Sequence, residues 1–309
     1  MVSAVFHSPS DASDAMRADK AAVKSTSNPM NASAAAVTAP LPTSSPSLLS
    51  KTRTDWAGLA LRTLAPLAGI ALLIAIWALL TMKSTTFPTP LATWEEAVKL
   101  FSDPFYSNGP NDQGIGWNIL FSLKRVAMGF GLAAVVGIPL GFLIGRSKIA
   151  SAMLNPIISL LRPVSPLAWL PIGLLVFKSA DPAAIWTIFI CSIWPMIINT
   201  AVGVQRVPED YLNVAKVLNL SEWKIVTKIL FPSVLPYMLT GVRLSVGTAW
   251  LVIVAAEMLT GGVGIGFWVW DEWNNLNVHH ILIAIFVIGI VGLALEQALV
   301  SIAKRFSFE

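Results

Sequence analysis

Two charged side chains, Arg243 and Glu257, lie within one strongly apolar stretch of the sequence. Charged groups are costly to place in lipid, so inside a membrane segment they commonly mark a substrate path or a contact between subunits. On a helix, this sequence separation brings the two side chains to within about 40° of one another and about 21 Å apart along the axis. We therefore predict that Arg243 and Glu257 line a translocation pathway or a dimer seam. The alternative is that Arg243 snorkels to the inner interface while Glu257 caps the helix near the outer one.

Residue clusters for catalysis or metal binding are missing from the sequence. The histidines are His7, His279 and His280, and the single cysteine, Cys191, lies in an apolar run that suits a small core side chain. A P-loop needs G-x-x-x-x-G-K-[ST] so that backbone N–H groups and a lysine can hold phosphates. The nearest stretch, 141–148 (GFLIGRSK), has the wrong spacing. We expect no catalytic residue, no metal, no cofactor and no ATP hydrolysis by this chain.

The composition is that of an integral membrane protein. Of 309 residues, 55% are hydrophobic and only 12% are charged, against roughly a quarter charged in soluble domains. The net charge is only +4, so nucleic acid is not an expected partner. Residues 1–50 differ from the rest, because they are rich in Ala, Ser, Thr and Pro and contain few large aliphatic side chains. We predict that they form a disordered cytosolic tail.

Six apolar segments follow, each close to the roughly 20 residues that cross a bilayer. They lie at 64–82, 124–145, 160–177, 183–204, 238–259 and 281–302. This pattern predicts an all-α, polytopic membrane protein with about six transmembrane helices and a transmembrane domain over 64–303. The third segment contains Pro163, Pro166 and Pro171, so its helix is expected to be interrupted.

Three glycines recur at every fourth position of the second segment. They are Gly137, Gly141 and Gly145. A stripe of small residues lets another helix approach closely. We predict that this stripe serves helix packing rather than substrate contact.

The distribution of lysine and arginine predicts the orientation, because cytosolic segments carry an excess of these residues. With the amino terminus inside, the outer segments hold Lys83, Lys99 and Lys178, whereas the inner segments hold many more. Both termini and the segment 205–236 are therefore predicted to be cytosolic.

The segment 205–236 interrupts the apolar spans with an amphipathic pattern. The apolar residues on one face of its first helix are Tyr211, Val214, Ala215 and Leu218. Asn219 suits a left-handed C-cap, Ser221 suits the N-cap of a second helix, and Pro232 is expected to end that helix. We predict two short helices that form a docking surface. The alternative is a pair of helices that rest on lipid headgroups.

The same segment resembles the cytosolic loop of permease subunits of bacterial ABC importers. That loop has the pattern E-A-A, three residues, Gly, nine residues and I-x-L-P. This sequence has Asn213-Val214-Ala215, then Asn219, then Ile229-Leu230-Phe231-Pro232 at the same spacing. Ala215, Ile229 and Pro232 match the pattern, whereas Asn213 stands where the family has Glu. The resemblance implies that the segment couples the chain to an ATPase through Asn213, Val214, Ala215, Asn219, Leu220, Ile229 and Pro232.

Three further segments extend the resemblance over most of 120–305. Segments 161–177 and 240–259 look like the branch of these permeases that serves nitrate, nitrite, cyanate, bicarbonate and sulfonates. Segment 264–277 looks more like the nitrate and bicarbonate members. The implied substrate is a small anion, above all nitrate, or else nitrite or cyanate, and the alternatives are a sulfonate such as taurine or bicarbonate.

The resemblance also implies a set of partners. They are a second permease subunit, expected to be identical, cytosolic ABC ATPase subunits and a periplasmic substrate-binding protein. The implied fold is that of a type I importer permease in the bacterial inner membrane. From the residues alone, two other classes stay open: a secondary transporter driven by an ion gradient, for which two-fold internal repeats would be expected, and a membrane scaffold without a transport role.

Overall fold

Long helices joined by short connections make up the fold. A computed structural model describes residues 56–84 and 86–306, with side chains from Leu64 to Arg305, so the predicted tail at 1–50 lies outside the described residues. The helices are α1 (Trp56–Thr81), α2 (Pro90–Leu100), α3 (Ile115–Arg146), α4 (Lys148–Leu161), α5 (Pro166–Phe177), α6 (Ala180–Gln205), α7 (Glu209–Val217), α8 (Glu222–Ile225), α9 (Phe231–Thr260), α10 (Ile265–Asn274) and α11 (Val278–Phe306). A π-helical turn, Val226–Leu230, joins α8 to α9.

Five of the helical segments in this part of the chain are long and apolar enough to cross a membrane. They are Leu64–Thr81 of α1, then α3, α6, the continuous segment Glu222–Thr260, and α11 up to Arg305. The pair α4 and α5 is a sixth span if the two helices are counted together. The prediction of an all-α fold with about six transmembrane helices is therefore confirmed.

The third predicted span, 160–177, is not one straight helix. The axes of α4 and α5 differ by 100°, and the chain between them, from Arg162 to Ser165, is not helical. Pro163 and Pro166 have no N–H group to continue the ladder of α4, and Ser165, which precedes Pro166, is extended at ψ 135°. The expected interruption therefore takes the form of a sharp bend.

The centre of the bundle is the packing of α3 and α9 against α6. The predicted glycine stripe of α3 faces α6 directly: a Cβ on Gly141 would lie 2.5 Å from Cβ of Thr200, and a Cβ on Gly145 would lie 2.5 Å from Cβ of Val204. Real Cβ atoms do not approach so closely, so the two backbones meet at a distance that only glycine allows. The stripe is confirmed as a packing surface.

The connection between α6 and α9 contains both predicted caps. Asn219 has φ 49°, and the N–H groups of Asn219 and Leu220 donate to the carbonyls of Lys216 and Ala215, both at 3.0 Å. This is the hydrogen-bond pattern of a Schellman motif. The hydroxyl of Ser221 accepts the N–H of Lys224 at 3.4 Å, as expected of an N-cap.

Pro232 does not end the second helix, which corrects the sequence prediction. The helix that begins at Glu222 runs through the π-helical turn and continues as α9 to Thr260. In that turn the N–H of Phe231 donates to the carbonyl of Val226, five residues back. The wider turn leaves room for the proline ring, and Pro232 then occupies the first turn of α9, where its missing N–H is tolerated.

The bundle has an α7 end and an α10 end. At the α7 end lie Arg146, Gln205 and Phe231, where α3 and α6 finish and α9 begins. At the α10 end lie Ile115, Ala180 and Thr260, where α3 and α6 begin and α9 finishes.

Candidate functional site

Glu257 is fully buried at the α10 end, with a side chain only 1% exposed. Nη1 of Arg125 on α3 donates to its Oε1 at 2.7 Å. The hydroxyl of Ser122 lies 2.8 Å from both carboxylate oxygens, and the N–H of Gly266 donates to Oε2 at 3.0 Å. The carboxylate therefore has a cation and two further donors around it, as a buried charge requires.

Arg125 joins this carboxylate to two other parts of the chain. Its Nε and Nη2 donate to Oδ1 of Asp181, at the start of α6, at 2.9 and 2.6 Å. Its Nη1 also donates to the carbonyl of Val263 at 2.6 Å. Because the guanidinium is planar and carries five N–H groups in a fixed fork, one side chain ties α3, α6, α9 and the turn before α10 together.

The turn between α9 and α10 is held by two more side chains of α3. Oδ1 of Asn118 accepts the N–H of Gly264 at 2.9 Å, and the hydroxyl of Ser122 accepts the N–H of Ile265 at 2.9 Å. We call the residues Asn118, Ser122, Arg125, Asp181 and Glu257 the α10-end network. It fixes the backbone of the turn by direct hydrogen bonds.

Sequence reasoning found Glu257 but missed its partners. Arg125 falls at the start of the predicted span 124–145, and no role was predicted for it. The available signal was the spacing of Asn118, Ser122 and Arg125, which places three polar side chains on one face of an otherwise apolar helix.

Arg243 lies in a different environment from Glu257, and the structure does not bring the two into one site. Arg243 forms an ion pair with Glu296 of α11, with its Nε at 3.0 Å from Oε1. The two side chains are 55% and 45% exposed. They border a cavity of about 610 Å³ whose other lining residues include Thr240, Gly247 and Gly289.

The position of this ion pair along its helices makes its exposure significant. Measured from the inner ends of the predicted spans 238–259 and 281–302, Arg243 lies about 8 Å and Glu296 about 9 Å into the membrane segment. Half-exposed charges are unfavourable against lipid tails, so the pair is expected to contact water, another protein surface or, by extension of the side chains, the headgroup region.

The residues predicted to couple to an ATPase fall on two faces of the α7–α8 region. Ala215 is buried and packs with Val204, Val207, Ile225, Leu230, Val234 and Met238. Leu220 and Ile229 are half-buried against the same cluster. Asn213, Val214, Asn219 and Pro232 are exposed. The expectation that Ala215 lies on the outward face is wrong, because its methyl group is small enough to bring α7 close to the bundle.

The outward face of α7 and α8 nonetheless exposes large apolar side chains among charged ones such as Asp210, Lys216 and Lys224. Its exposed large side chains are Tyr211, Val214, Val217, Leu218 and Trp223, and we call them the α7–α8 surface. Arg146 at the end of α3 donates to Glu222 at 2.6 Å and so holds the start of α8 against the bundle. Together with the burial of Ala215 and Ile225, this contact attaches the α7–α8 surface to the bundle.

Comparison with known proteins places this architecture among transport proteins. Residues 137–307 match the family described as "Binding-protein-dependent transport system inner membrane component". The chain is 48% identical over 237 residues to the "Nitrate import permease protein NrtB" of Synechocystis sp., which covers 76% of this chain and 86% of that protein. It is 44% identical over 258 residues to the "Bicarbonate transport system permease protein CmpB" of Synechococcus elongatus, which covers 82% of this chain and 91% of that protein.

The fold is also similar to a solved transporter structure. A chain of the MetNI methionine ABC transporter, in an inward facing conformation, superposes with a TM-score of 0.55 at 14% sequence identity. The superposition covers 62% of this chain and 95% of that chain. At this identity the likeness concerns the fold alone.

Proposed function

Because this chain belongs to the family of inner membrane components of binding-protein-dependent transport systems, we propose that it is the permease subunit of an ATP-driven importer and forms the pathway for a small anion, above all nitrate. The observation that carries the choice of nitrate is the 48% identity to a nitrate import permease over most of both chains. Bicarbonate is the second candidate, since a bicarbonate permease is 44% identical over a similar length. Sulfonate or taurine import is a more distant alternative.

The proposed assembly has two copies of this chain, cytosolic ATPase subunits and a binding protein on the opposite side. In this arrangement the α7 end faces the cytosol and the α10 end faces outward, with both termini inside. The excess of lysine and arginine in the predicted inner segments supports this orientation. ATP hydrolysis is assigned to the partner subunits.

We propose that the α7–α8 surface binds the ATPase. Five exposed large side chains in so small a region favour a protein contact. Helix α8 is continuous with α9 through the π-helical turn, so a displacement of the surface would be transmitted along α9 toward Glu257. A surface that only rested on lipid would not require a continuous helix from α8 into α9.

For the pathway itself, Arg243 and Glu257 receive different roles in the proposal. The half-exposed pair Arg243–Glu296 suits a subunit seam or a water-filled path, because lipid would not tolerate it. Glu257 is enclosed on all sides in this conformation. It therefore suits a role in fixing the outer turn, so that the turn moves as one unit with α3 and α9.

Nitrate import and coupling are tested together by expressing the chain with its ATPase and binding protein in cells that lack nitrate uptake. The parent complex should import nitrate with consumption of ATP. Val217→Asp should abolish copurification of the ATPase and uptake, because an unpaired carboxylate in a desolvated contact costs about 2–5 kcal/mol.

Leu276→Asp is the matched control for this substitution. Leu276 is as exposed as Val217, at 79% against 81%, but it lies at the α10 end. The variant Leu276→Asp should keep the ATPase bound. Uptake of bicarbonate instead of nitrate by the parent complex would reject the proposed substrate, and ATPase binding by Val217→Asp would reject the coupling surface.

A further inference from the structure

Helix α4 has a continuous stripe of polar side chains, although together with α5 it is long and apolar enough to cross a membrane. Its members are Lys148, Ser151, Asn155, Ser159 and, one residue beyond the helix, Arg162. The spacings of three and four residues place them all within about 60° of one line along the helix. None of them is buried. We call this set the α4 polar stripe.

The other two faces of α4 are apolar, and they differ in exposure. Ile158 is buried and packs with Ile144, Met196, Ile197 and Ala201. Ile149, Met153, Ile157 and Leu160 are exposed. The helix thus has one face for the bundle, one apolar face that suits lipid or a partner helix, and the polar stripe between them. A polar face at membrane depth requires water or polar partners.

Two cavities follow the stripe in succession. A cavity of about 850 Å³ is lined by Lys148 and Ser151 and also contacts Asn155 and Ser159. A second cavity of about 540 Å³ is lined by Asn155, Ser159 and Arg162. Because both cavities are lined by Asn155 and Ser159, they adjoin one another, and together they mark a candidate route along α4 from the α7 end to the bend between α4 and α5.

The route runs along the side of the bundle, away from its α7 end. Val204 and Gln205, the last residues of α6, line the first cavity, whereas Ile198 lines the second. Ile198 lies seven residues before Gln205, which corresponds to about 10 Å along α6. Arg162 is therefore about 10 Å inside the α7 end of the bundle.

The charges along this route favour an anion. Arg146, Lys148 and Arg162 line the two cavities, and Glu209 is the one acidic residue among the lining residues. Arg146 is paired with Glu222, but no acidic side chain among the described residues lies within ion-pair distance of Arg162. The remaining polar members, Ser151, Asn155 and Ser159, can all donate hydrogen bonds.

We propose that the α4 polar stripe lines the inner part of the anion's route, with Arg162 as the residue that binds the anion at the bend and Lys148 at the exit. The proposal rests on the function proposed above and assigns residues to it. A planar, monovalent oxyanion such as nitrate can accept two parallel N–H groups of a guanidinium. The hydroxyl groups of Ser151 and Ser159 and the amide of Asn155 bind an anion more weakly than a guanidinium does, which allows the anion to move on toward Lys148.

The first test measures the access of water and anions to the stripe. Ser151, Asn155 and Ser159 are replaced singly by cysteine in a Cys191→Ala background, and Ile149→Cys, Met153→Cys and Ile157→Cys serve as matched controls on the exposed apolar face. The complete transporter in inside-out vesicles is then labelled with an anionic or a cationic methanethiosulfonate reagent. Stripe positions should react about tenfold faster than the controls, because thiolate chemistry needs water.

Three further properties of the labelling belong to the same test. The anionic reagent should react faster than the cationic one at Ser159→Cys, and excess nitrate, but not gluconate, should slow it. Trapping with ATP and vanadate should also slow it. Equal labelling of both faces would overturn the proposal. So would stripe labelling that neither nitrate nor trapping changes, since α4 would then lie flat among the headgroups.

The second test concerns Arg162. Arg162→Met should lower nitrate uptake about tenfold or more, because charge-assisted hydrogen bonds are the stronger kind, and Arg162→Lys should retain part of the uptake. ATPase copurification should stay unchanged in both variants. When Arg162→Met is combined with Ser159→Cys, the thiol should lose its preference for the anionic reagent. A purely structural role of Arg162 would not cause this loss.

The outcomes separate this proposal from the proposed function. A parent complex that imports nitrate while Arg162→Met imports it equally well rejects only the role of Arg162 and the stripe. A parent complex that imports no anion rejects the proposed function, and the role of the stripe with it.

Discussion

Glu257 and Arg125 are separated by 132 residues in the sequence and form the most enclosed ion pair among the described residues. Buried charges are stable only when their hydrogen-bonding capacity is met, and here the partners come from α3, α6 and the α9–α10 turn. A buried ion pair stabilises the folded state little more than apolar side chains of the same size would, but removal of one member leaves an uncompensated buried charge. The pair therefore makes the position of the turn dependent on the position of α3.

At the residue scale, we predict that Glu257→Leu lowers the free energy of unfolding by about 3–5 kcal/mol, because Arg125 keeps its charge and loses its main buried partner. Thermal denaturation of the purified chain in detergent measures the effect. The double variant Arg125→Met with Glu257→Leu should recover part of it. Glu296→Leu is the control, since its ion pair is half exposed. A loss in Glu257→Leu no larger than in this control would show that the network has no structural role.

At the scale of elements, the contact between α3 and α6 depends on glycine. Gly129, Gly137, Gly141 and Gly145 all face side chains of α6, and each would meet them within van der Waals distance if it carried a Cβ. Because both helices are also apolar elsewhere, the glycines rather than the hydropathy select which faces meet.

We predict that Gly141→Leu reduces membrane levels and thermal stability strongly, because its side chain would collide with Thr200 and the carbonyl of Ile197. Gly131→Leu on the same helix should be tolerated, since a Cβ there meets no described atom within 4 Å. Fluorescence-detected size exclusion and thermal denaturation compare the two variants. Equal membrane levels and equal thermal stability of Gly141→Leu and Gly131→Leu would contradict the contact between Gly141 and α6.

At the scale of the whole molecule, the exposed features point to contacts beyond one chain. The pair Arg243–Glu296 is half exposed within the predicted spans, the α7–α8 surface is apolar, and only 6% of the residues in Leu64–Thr81 of α1 are buried. Lipid can cover α1. The ion pair and the α7–α8 surface are unfavourable in an isolated subunit, and contacts with other subunits of a transporter would cover both.

The proposed orientation gives a prediction for the whole molecule. In the chain expressed without ATPase subunits, which would otherwise cover the position, Val217→Cys at the α7 end should react with a membrane-impermeant thiol reagent only in inside-out vesicles, and Trp273→Cys at the α10 end only in intact spheroplasts. We expect this labelling pattern because basic residues are in excess at the α7 end, and the positive-inside rule places such an end in the cytosol. Cys191→Ala removes the native thiol. The opposite labelling pattern would invert the topology and remove the α7–α8 surface from reach of an ATPase.

The sequence alone determined the features that depend on local physics. Hydropathy over about 20 residues specified the spans, the αL preference of Asn219 and the hydroxyl of Ser221 specified the turn between α7 and α8, and the prolines specified the interruption after Leu161. Each of these is decided within one or two helical turns, so neighbouring residues suffice to predict it.

Only the tertiary structure decided which faces meet. The sequence placed Ala215 on an outward face and expected a helix end at Pro232, whereas packing against Val234 turned Ala215 inward and the π-helical turn carried the helix past Pro232. It gave Glu257 no partner, because Arg125 comes near it only when α3, α6 and α9 pack together. The physical reason is that the membrane helices are apolar nearly all round, so periodicity does not distinguish a face that packs on protein from one that faces lipid.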